Sequence, residues 1–367
     1  MTLSPAFSAC SFDALTGWER DDHGAAFTAF RRCAFRVLEK PYRSGKLGID
    51  HQAFADAYAI ARDIAEPTAE QARSFFERHF VACRVAADGG GRGFVTGYYE
   101  PIAEASPVGT ENCRYPLYAR PGDLVDIDDG NRPPGLEAGF AFARRDGQKL
   151  CEYHDRAAIE QGALAGRGLE IAWLADPVEA FFIHVQGAAR LVFPDGGQMR
   201  VTYAAKSGHP FTGPGGILAD LGEIPRSEVT MQSIRAWFSA NPERVNEILW
   251  QNRSFIFFRE APVDDPALGP VAAAKVPLTP GRSIAVDRLL HTFGTPFFIH
   301  APEVVQFDGA PFSRLMIAQD TGSAITGAAR GDLFAGSGEA AGEIAGVIRH
   351  DADFFALVPR GLLSEAV

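Results

Sequence analysis

The sequence has no run of basic residues anywhere along its 367 positions. Its 35 Lys and Arg residues are outnumbered by 46 Asp and Glu residues, which gives a formal net charge of −11. A protein with this charge repels polyanions, so we expect no binding to nucleic acid or to anionic membrane surfaces. An acidic polymer could be a substrate only if the site itself were locally positive.

Long apolar segments are also absent. No stretch reaches the roughly 18 consecutive apolar residues of a membrane-spanning helix, so none is predicted. The first residues, MTLSPAFSACSFDAL, lack a charged start followed by a long apolar core, and no signal peptide is predicted. We therefore expect either a cytoplasmic protein or a chain whose leader has been removed.

Cysteine is scarce, with five residues that are widely spaced and odd in number. No Cys-x-x-Cys or Cys/His pair has metal-site spacing, and His, Cys and Asp do not cluster as ligands. We interpret the cysteines as small core residues. The sequence predicts no metal, no cofactor and no metal-dependent enzyme.

The residues that are present predict a helical start. Apolar positions recur at the helical period over residues 24–39 and 52–65. Thr68 and Gln71 have the spacing of a capping box, which predicts a third helix. The aromatic residues assigned to that helix are Phe75, Phe76 and Phe80.

A small all-β unit is predicted in the middle of the chain, where turn residues are frequent and helical periodicity is weak. Its predicted strands include 115–119, 180–186, 189–193 and 199–203. Helices return after residue 210, and short strands follow from about 276. This order predicts one large domain, residues 1–102 and 207–367, interrupted by an inserted β domain at 103–206.

Two aspartates near the C-terminus are candidates for catalysis. Asp320 follows a short apolar strand and begins an Asp-Thr-Gly turn, whereas Asp332 follows Gly331 and precedes an apolar pair. Small residues around both leave room for a ligand to approach the backbone. An aspartate in such a turn often bonds its own backbone, so a purely structural role for Asp320 stays open.

A second candidate region is the predicted strand that holds Thr96, Gly97, Tyr98, Tyr99 and Glu100. Adjacent residues of a strand point to opposite faces, so one tyrosine can pack while the other faces a cleft. Aromatic pairs also favour strands for packing alone. Gln186, where an apolar segment turns polar, and Lys206, in a cationic turn, are further candidate contacts.

Seven motifs in series resemble the membrane-bound lytic murein transglycosylase A family, MltA. They are GYYEP at 97–101, FFIHVQGAARL at 181–191, YAAKSGHPF at 203–211, MQSIRAW at 231–237, NRSFIFF at 252–258, PLTPGRSIAVD at 277–287 and RLMIAQDTGSAITGAARGDLF at 314–334. Each motif alone is weak. Together they keep the family's order over most of the chain from about 90 to 350, which makes the resemblance specific.

The resemblance implies a mainly β protein with helices. In this family a large domain contains a double-psi β-barrel, a small β-barrel-like domain is inserted into it, and a groove for a glycan strand runs between them. The resemblance also implies a peptidoglycan partner and a periplasmic location or peripheral association with the outer membrane. We expect a monomer, since the sequence shows no heptad repeat and no apolar surface stripe.

The activity that the resemblance implies is cleavage of the β-1,4 bond between N-acetylmuramic acid and N-acetylglucosamine, which leaves a 1,6-anhydromuramoyl end. Asp332 matches the family's acid/base and Asp320 its other motif aspartate. One carboxyl group suffices when the sugar's own 6-hydroxyl attacks, provided that burial and Asp320 raise the pKa of Asp332. The residues expected to bind substrate are Thr96, Gly97, Tyr98, Tyr99, Glu100, Gln186 and Lys206, with a tyrosine ring stacked on a sugar.

Two other functions stay open at this point. A polysaccharide hydrolase would use Asp320 and Asp332, or Glu100 and Asp332, to activate water and would release a reducing end. A non-catalytic glycan-binding module would bind the strand without cleaving it. The mass of the products separates the three functions.

Overall fold

The described part of the computed structural model covers residues 3–137 and 139–363. Its strands, in chain order, are β1 (Phe7–Ala9), β2 (Phe80–Val85), β3 (Gly93–Glu100), β4 (Ile102–Glu104), β5 (Tyr115–Tyr118), β6 (Leu124–Asp126), β7 (Phe142–Asp146), β8 (Lys149–Cys151), β9 (Glu170–Leu174), β10 (Ala188–Val192), β11 (Gln198–Lys206), β12 (Ile256–Ala261), β13 (Ser283–Val286), β14 (Pro296–Ala301), β15 (Phe312–Asp320), β16 (Arg330–Ser337) and β17 (Arg349–Pro359). Its helices are α1 (His23–Arg36), α2 (Ala55–Asp63), α3 (Ala69–His79), α4 (Arg156–Ala158), α5 (Pro177–Gln186), α6 (Pro214–Asp220), α7 (Met231–Ala240), α8 (Val245–Leu249) and α9 (Glu339–Ala345). The expected mixture of β-sheets and helices is confirmed.

The chain divides into two compact units. The first unit is Met1–Tyr99 with Ala267–Val367, and the second is Glu100–Pro266. Strand β12 pairs with β11 in the second unit, so this unit continues well past residue 206. The domain boundaries at 103 and 206 stay a prediction.

Most of the first unit's strands belong to one sheet, in the order β1-β2-β17-β14-β15-β13-β16-β3, and β3 also pairs with β17. Helices α1 and α3 pack through aromatic side chains, with Phe27 and Phe75 rings 4.9 Å apart. The capping box of Thr68 and Gln71 starts α3 as predicted. Phe80, assigned to that helix, is instead the first residue of β2, because its backbone is extended where α3 ends at His79.

The end of β15 is anchored by Gln319, which is fully buried. Its side-chain amide donates to the carbonyl of Ala29 on α1 at 2.8 Å, and its side-chain carbonyl accepts from the Ser283 hydroxyl on β13. The register between β13 and β15 is irregular at this point. A bulge of this kind re-aims the side chain that follows it, here Asp320.

The described residues of the second unit form three sheets, in the orders β12-β11-β10-β4, β5-β9 and β6-β7-β8. The prediction that its first part is all-β is wrong at 180–186, because this segment lies in helix α5. The Asp176 side chain caps the helix, Pro177 occupies its first turn, and Gly187 ends it in the left-handed region at φ 74°. A short apolar run is compatible with a buried strand or a buried helix. The capping residues at its two ends therefore indicate which of the two forms.

Among the residues that the structure describes, no helix combines the length and the apolar character needed to cross a membrane.

Candidate active site

Asp320 and Asp332 lie on either side of one small residue, Ala285. Ala285 on β13 is the Cα partner of Asp320 on β15 and also of Asp332 on β16. Two strand spacings separate the α-carbons of the two aspartates by about 10 Å. Paired residues of neighbouring strands direct their side chains to the same face, so both carboxyl groups lie on one face of the sheet.

Asp332 is bonded through one of its two carboxyl oxygens. The Thr96 hydroxyl donates to Asp332 Oδ1 at 2.6 Å and accepts from Arg330 Nη2 at 2.7 Å. Because a hydroxyl has a single proton, the Arg330 donor leaves that proton directed at the carboxyl group. Within the described residues, Oδ2 of Asp332 has no hydrogen-bond partner, which leaves it available to a ligand.

Burial raises the pKa of Asp332 above its ordinary value. The hydrogen bond from Thr96 and the positive charge of Arg330 both lower that pKa, but they do not cancel the effect of burial. Burial therefore acts on the pKa of Asp332 in the predicted direction, but the predicted contribution of Asp320 is not among the causes, and it is instead the charge of Asp332 that raises the pKa of Asp320. A carboxyl group in this environment favours the protonated form that a general acid needs.

Asp320, by contrast, is bonded at both oxygens. Its Oδ2 accepts from the Tyr98 hydroxyl at 3.2 Å, and its Oδ1 accepts from the backbone N–H of Ala273 at 3.2 Å. Burial, helped by the charge of Asp332, still raises the pKa of Asp320 to about 6. The chain therefore fixes Asp320 in place, whereas Asp332 keeps one oxygen open.

The two tyrosines of β3 point to opposite faces, as predicted. Tyr98 is half-buried, and its ring lies 5.3 Å from the ring of Phe334. Burial and the charges of Asp320 and Asp332 raise its pKa, so the hydroxyl stays a donor. Tyr99 is only 7% exposed, and its ring leaves little surface on which a sugar could stack.

Gly97 allows β3 and α9 to approach closely. A Cβ at this position would lie 2.8 Å from the Ala345 α-carbon and 2.9 Å from the Ala345 carbonyl oxygen. Backbone atoms cannot yield as a flexible side chain can, so the absence of a side chain has a packing reason here. Contact between Gly97 and substrate stays a prediction.

The remaining predicted residues belong to the second unit. Glu100 is 1% exposed and accepts from Arg190 Nη2 at 3.1 Å and from Arg200 Nη2 at 3.0 Å. Gln186 ends α5 and Lys206 ends β11, and both are half-buried. Burial lowers the pKa of Lys206. Of the predicted residues, the structure brings together Thr96, Tyr98, Asp320 and Asp332 in the first unit.

Two segments of the chain match known domains. Residues 94–259 match the MltA specific insert domain, and residues 282–358 match the 3D domain. A crystal structure of the membrane-bound lytic murein transglycosylase from Agrobacterium tumefaciens is 49% identical to this chain, with a TM-score of 0.93. The similarity covers 99% of this chain and 100% of that chain. This chain belongs to the MltA family.

Relatives from Escherichia coli agree with this assignment to MltA. Membrane-bound lytic murein transglycosylase A of strain K12 is 32% identical over 270 residues, which are 72% of this chain. The matched part spans 65% of that relative's length. A crystal structure of E. coli MltA with bound chitohexaose is 25% identical, with a TM-score of 0.68, and the similarity covers 98% of this chain and 96% of that chain.

Arg330 lies in the candidate site of this MltA family member and was not among the residues predicted from the sequence. It stands two positions before Asp332, and its guanidinium lies 5.5 Å from the ring centroid of Phe94 while it donates to Thr96. Alternation along a strand places Arg330 and Asp332 on one face. This two-residue spacing is the sequence pattern from which Arg330 could have been predicted. Arg330 is linked to Asp332 through the Thr96 hydroxyl, and Thr96 lies 236 positions from Asp332 in the sequence.

No three His, Cys, Asp or Glu side chains within residues 3–137 and 139–363 are arranged to hold a metal ion.

Proposed function

We propose that this chain is a lytic transglycosylase of peptidoglycan. It cleaves the β-1,4 bond between N-acetylmuramic acid and N-acetylglucosamine and forms a 1,6-anhydromuramoyl end. The observation that carries the proposal is Asp332, a half-buried carboxyl group with a raised pKa and one open oxygen, beside Asp320, which is bonded at both oxygens. The relatives' names, murein transglycosylases, support peptidoglycan as the substrate.

The proposed reaction starts with Asp332 protonated on Oδ2. The proton passes to the glycosidic oxygen as the bond to the muramoyl C1 breaks through an oxocarbenium-like transition state. The muramoyl 6-hydroxyl then attacks C1, and Asp332 accepts the hydroxyl proton. Because the nucleophile belongs to the same sugar, the attack gains from proximity and no water is consumed. Asp332 ends the cycle protonated, as it began.

The surroundings of Asp332 suit both halves of this cycle. Burial favours the acid that the first step needs, whereas Thr96 and Arg330 favour the carboxylate that the second step needs. Because these effects oppose each other, Asp332 can both donate a proton in the first step and accept one in the second. We propose Asp320 as a supporting residue that holds Tyr98 and the Ala273 segment and, when ionised, stabilises positive charge at C1.

Several finer features belong to the same proposal. Strands β17, β14, β15, β13, β16 and β3 would close into a double-psi β-barrel, which the additional pairing of β3 with β17 supports. The relatives are named membrane-bound murein transglycosylases, and a periplasmic or outer-membrane-associated location with peripheral membrane association is part of the proposal. Tyr98, Gln186 and Lys206 remain proposed substrate contacts, and a monomer remains the proposed state.

A hydrolase is the second candidate because two carboxyl groups share one face. Asp320 and Asp332 are the pair for that reaction. Glu100 is a poor choice as a base, because both its oxygens accept from buried arginines.

The test is a mass spectrum of the soluble products formed from cell-wall murein. The variants are Asp332→Asn, which retains an acceptor for Thr96, and Asp13→Asn, a matched charge change at an exposed position. Anhydro-ended products are expected from the wild type and from Asp13→Asn only. Products one water heavier would indicate the hydrolase. Binding to murein without products from any of the three proteins would indicate a glycan-binding module.

A further inference from the structure

Arg349 extends the face of the sheet that carries Asp332. It is the first residue of β17 and the Cα partner of Thr96 in the antiparallel ladder with β3. Such partners lie about 4.5–5.5 Å apart at their α-carbons and direct their side chains to the same face. Arg349 therefore stands beside the Thr96 hydroxyl that bonds Asp332.

The burial pattern of both strands supports this orientation. On β3, Val95 is buried whereas Thr96 is half-exposed, and on β17 Ala352 is buried whereas Arg349 and Asp351 are exposed. Alternation with a period of two places the exposed residues of each strand on one side. Arg349 thus lies on the open side of the sheet, at the edge of the site.

Arg349 also differs from Arg330 in what it contacts. Arg330 donates to Thr96 and to the Gly331 carbonyl and lies against Phe94. The guanidinium of Arg349 makes no hydrogen bond or ion pair with any residue that the structure describes, and this includes Asp351 on the same strand; only its backbone N–H donates, to His350 Nδ1. The edge of the site therefore carries a cation whose donors are available to a ligand.

We infer that Arg349 is a binding residue for a carboxylate on the muramoyl side of the substrate. This inference rests on the proposed function. The muramoyl sugar carries a lactyl group and, through it, an acidic peptide stem, whereas N-acetylglucosamine is neutral. A guanidinium presents two parallel donors that match a carboxylate. Arg349 would distinguish stem-bearing muramoyl residues from neutral sugars.

The charge of the whole protein makes a local cation necessary. A net charge of −11 repels an anionic glycan at long range, and this repulsion slows encounter. Arg349, opposite Thr96 in the ladder, adds a positive charge near Asp332, where the muramoyl residue would lie. The same carboxylate chemistry has two sources, the peptide stem and the lactyl group that is exposed once a stem has been removed.

The test compares Arg349→Gln with Arg349→Lys and with Arg78→Gln, a matched loss of charge on the exposed face of α3. Three soluble murein fragments serve as ligands. The first keeps its peptide stems, the second has its stem carboxylates converted to methyl amides, and the third has lost its stems and carries free lactyl carboxylates. Affinity is measured in the Asp332→Asn background, and kcat and KM are measured with Asp332 intact.

Arg349→Gln is expected to weaken affinity and raise KM about three- to tenfold for one carboxylate-bearing fragment, with kcat nearly unchanged. If Arg349→Gln loses affinity for the first fragment, Arg349 binds a carboxylate of the peptide stem. If it loses affinity for the third fragment, Arg349 binds the lactyl carboxylate. Arg349→Lys should retain much of the affinity, and about 0.5 M salt should remove the difference from wild type. Equal loss on the amidated fragment, or no loss beyond that of Arg78→Gln, overturns the inference. Binding that depends on Arg349 without anhydro products would overturn the proposed function alone.

Discussion

Thr96 donates its only hydroxyl proton to Asp332 across 2.6 Å. Arg330 approaches the same hydroxyl oxygen as a donor at 2.7 Å, so the direction of the Thr96 bond is fixed. This bond stabilises the ionised form of Asp332, whereas burial stabilises the protonated form. The pH range in which Asp332 can act as an acid depends on the balance between them.

Thr96→Val removes the bond and keeps the shape of the side chain. The pKa of Asp332 should rise, because its carboxylate loses a donor. A general acid is lost as pH rises through its pKa, so the alkaline limb of kcat/KM should move to higher pH. One bond to a charged group corresponds to a shift of about one pH unit. Thr96→Ser keeps the hydroxyl and should leave the limb in place, and an unshifted limb in Thr96→Val would contradict the assignment.

Arg330→Gln tests the same balance through charge. Removal of the cation should also raise the pKa of Asp332 and move the alkaline limb upward, whereas Arg330→Lys should move it less. Arg330 acts partly through the Thr96 hydroxyl, so the double variant with Thr96→Val should shift the limb by less than the sum of the single shifts. Fully additive shifts in a double-mutant cycle would show that the two residues act independently.

Local patterns account for the parts of this site that lie within one strand. Alternation along β3 separates Tyr98 from Tyr99, and turn residues mark the ends of strands near Asp320. The pairing of Asp320 with Ala285 depends on the irregular register at Gln319, whose amide is bonded to Ala29 on a distant helix. A contact with that sequence separation leaves no local pattern to read.

The same limit explains the error at 180–186 and the two missed arginines. The apolar run in α5 is buried as a helix, and its period alone does not distinguish it from a buried strand. Arg330 on β16 and Arg349 on β17 belong to the site only through Thr96 on β3, which precedes Arg330 by 234 positions in the sequence. Family resemblance supplied Asp332 directly, but it did not supply the residues around it.

Asp320→Asn should change how stability depends on pH. The pKa of Asp320 rises from 3.8 to about 6 on folding, so the native state binds more protons than the unfolded state between these values. The free energy of unfolding therefore falls as pH rises through this window, by up to about 3 kcal/mol. Asparagine does not titrate, and it can accept from Ala273 N–H while donating to Tyr98.

Urea unfolding at about pH 4 and pH 7 measures this effect across the window. The free energy of unfolding of Asp320→Asn, relative to that of the wild type, should be higher at about pH 7 than at about pH 4. Asp13→Asn, at an exposed position, should follow the wild type at both. Parallel pH dependence in Asp320→Asn and wild type would show that Asp320 keeps an ordinary pKa.

Glu100→Gln should destabilise the second unit. The Glu100 carboxylate forms ion pairs with two buried arginines, Arg190 and Arg200. Glu100→Gln removes the negative charge from both pairs. Removal of one partner from a buried ion pair costs about 3 kcal/mol or more. The urea unfolding of Glu100→Gln is compared with that of Glu104→Gln, a matched change at an exposed position on β4. Anhydro products from the folded fraction of Glu100→Gln would also exclude Glu100 as a required base, whereas full stability with no products would assign it to the chemistry.

Gly97→Ala separates packing from substrate contact at the one glycine predicted to bind the glycan. The new Cβ would lie 2.8 Å from the Ala345 α-carbon, closer than real Cβ atoms approach backbone, so β3 or α9 must shift. We expect the free energy of unfolding to fall by about 2 kcal/mol, because overpacking outweighs the entropy that alanine removes from the unfolded chain. Gly361→Ala, where a Cβ meets nothing within 4 Å, is the control. A loss of stability with KM unchanged for the folded protein assigns Gly97 to the contact with α9, whereas unchanged stability with a raised KM assigns it to the substrate.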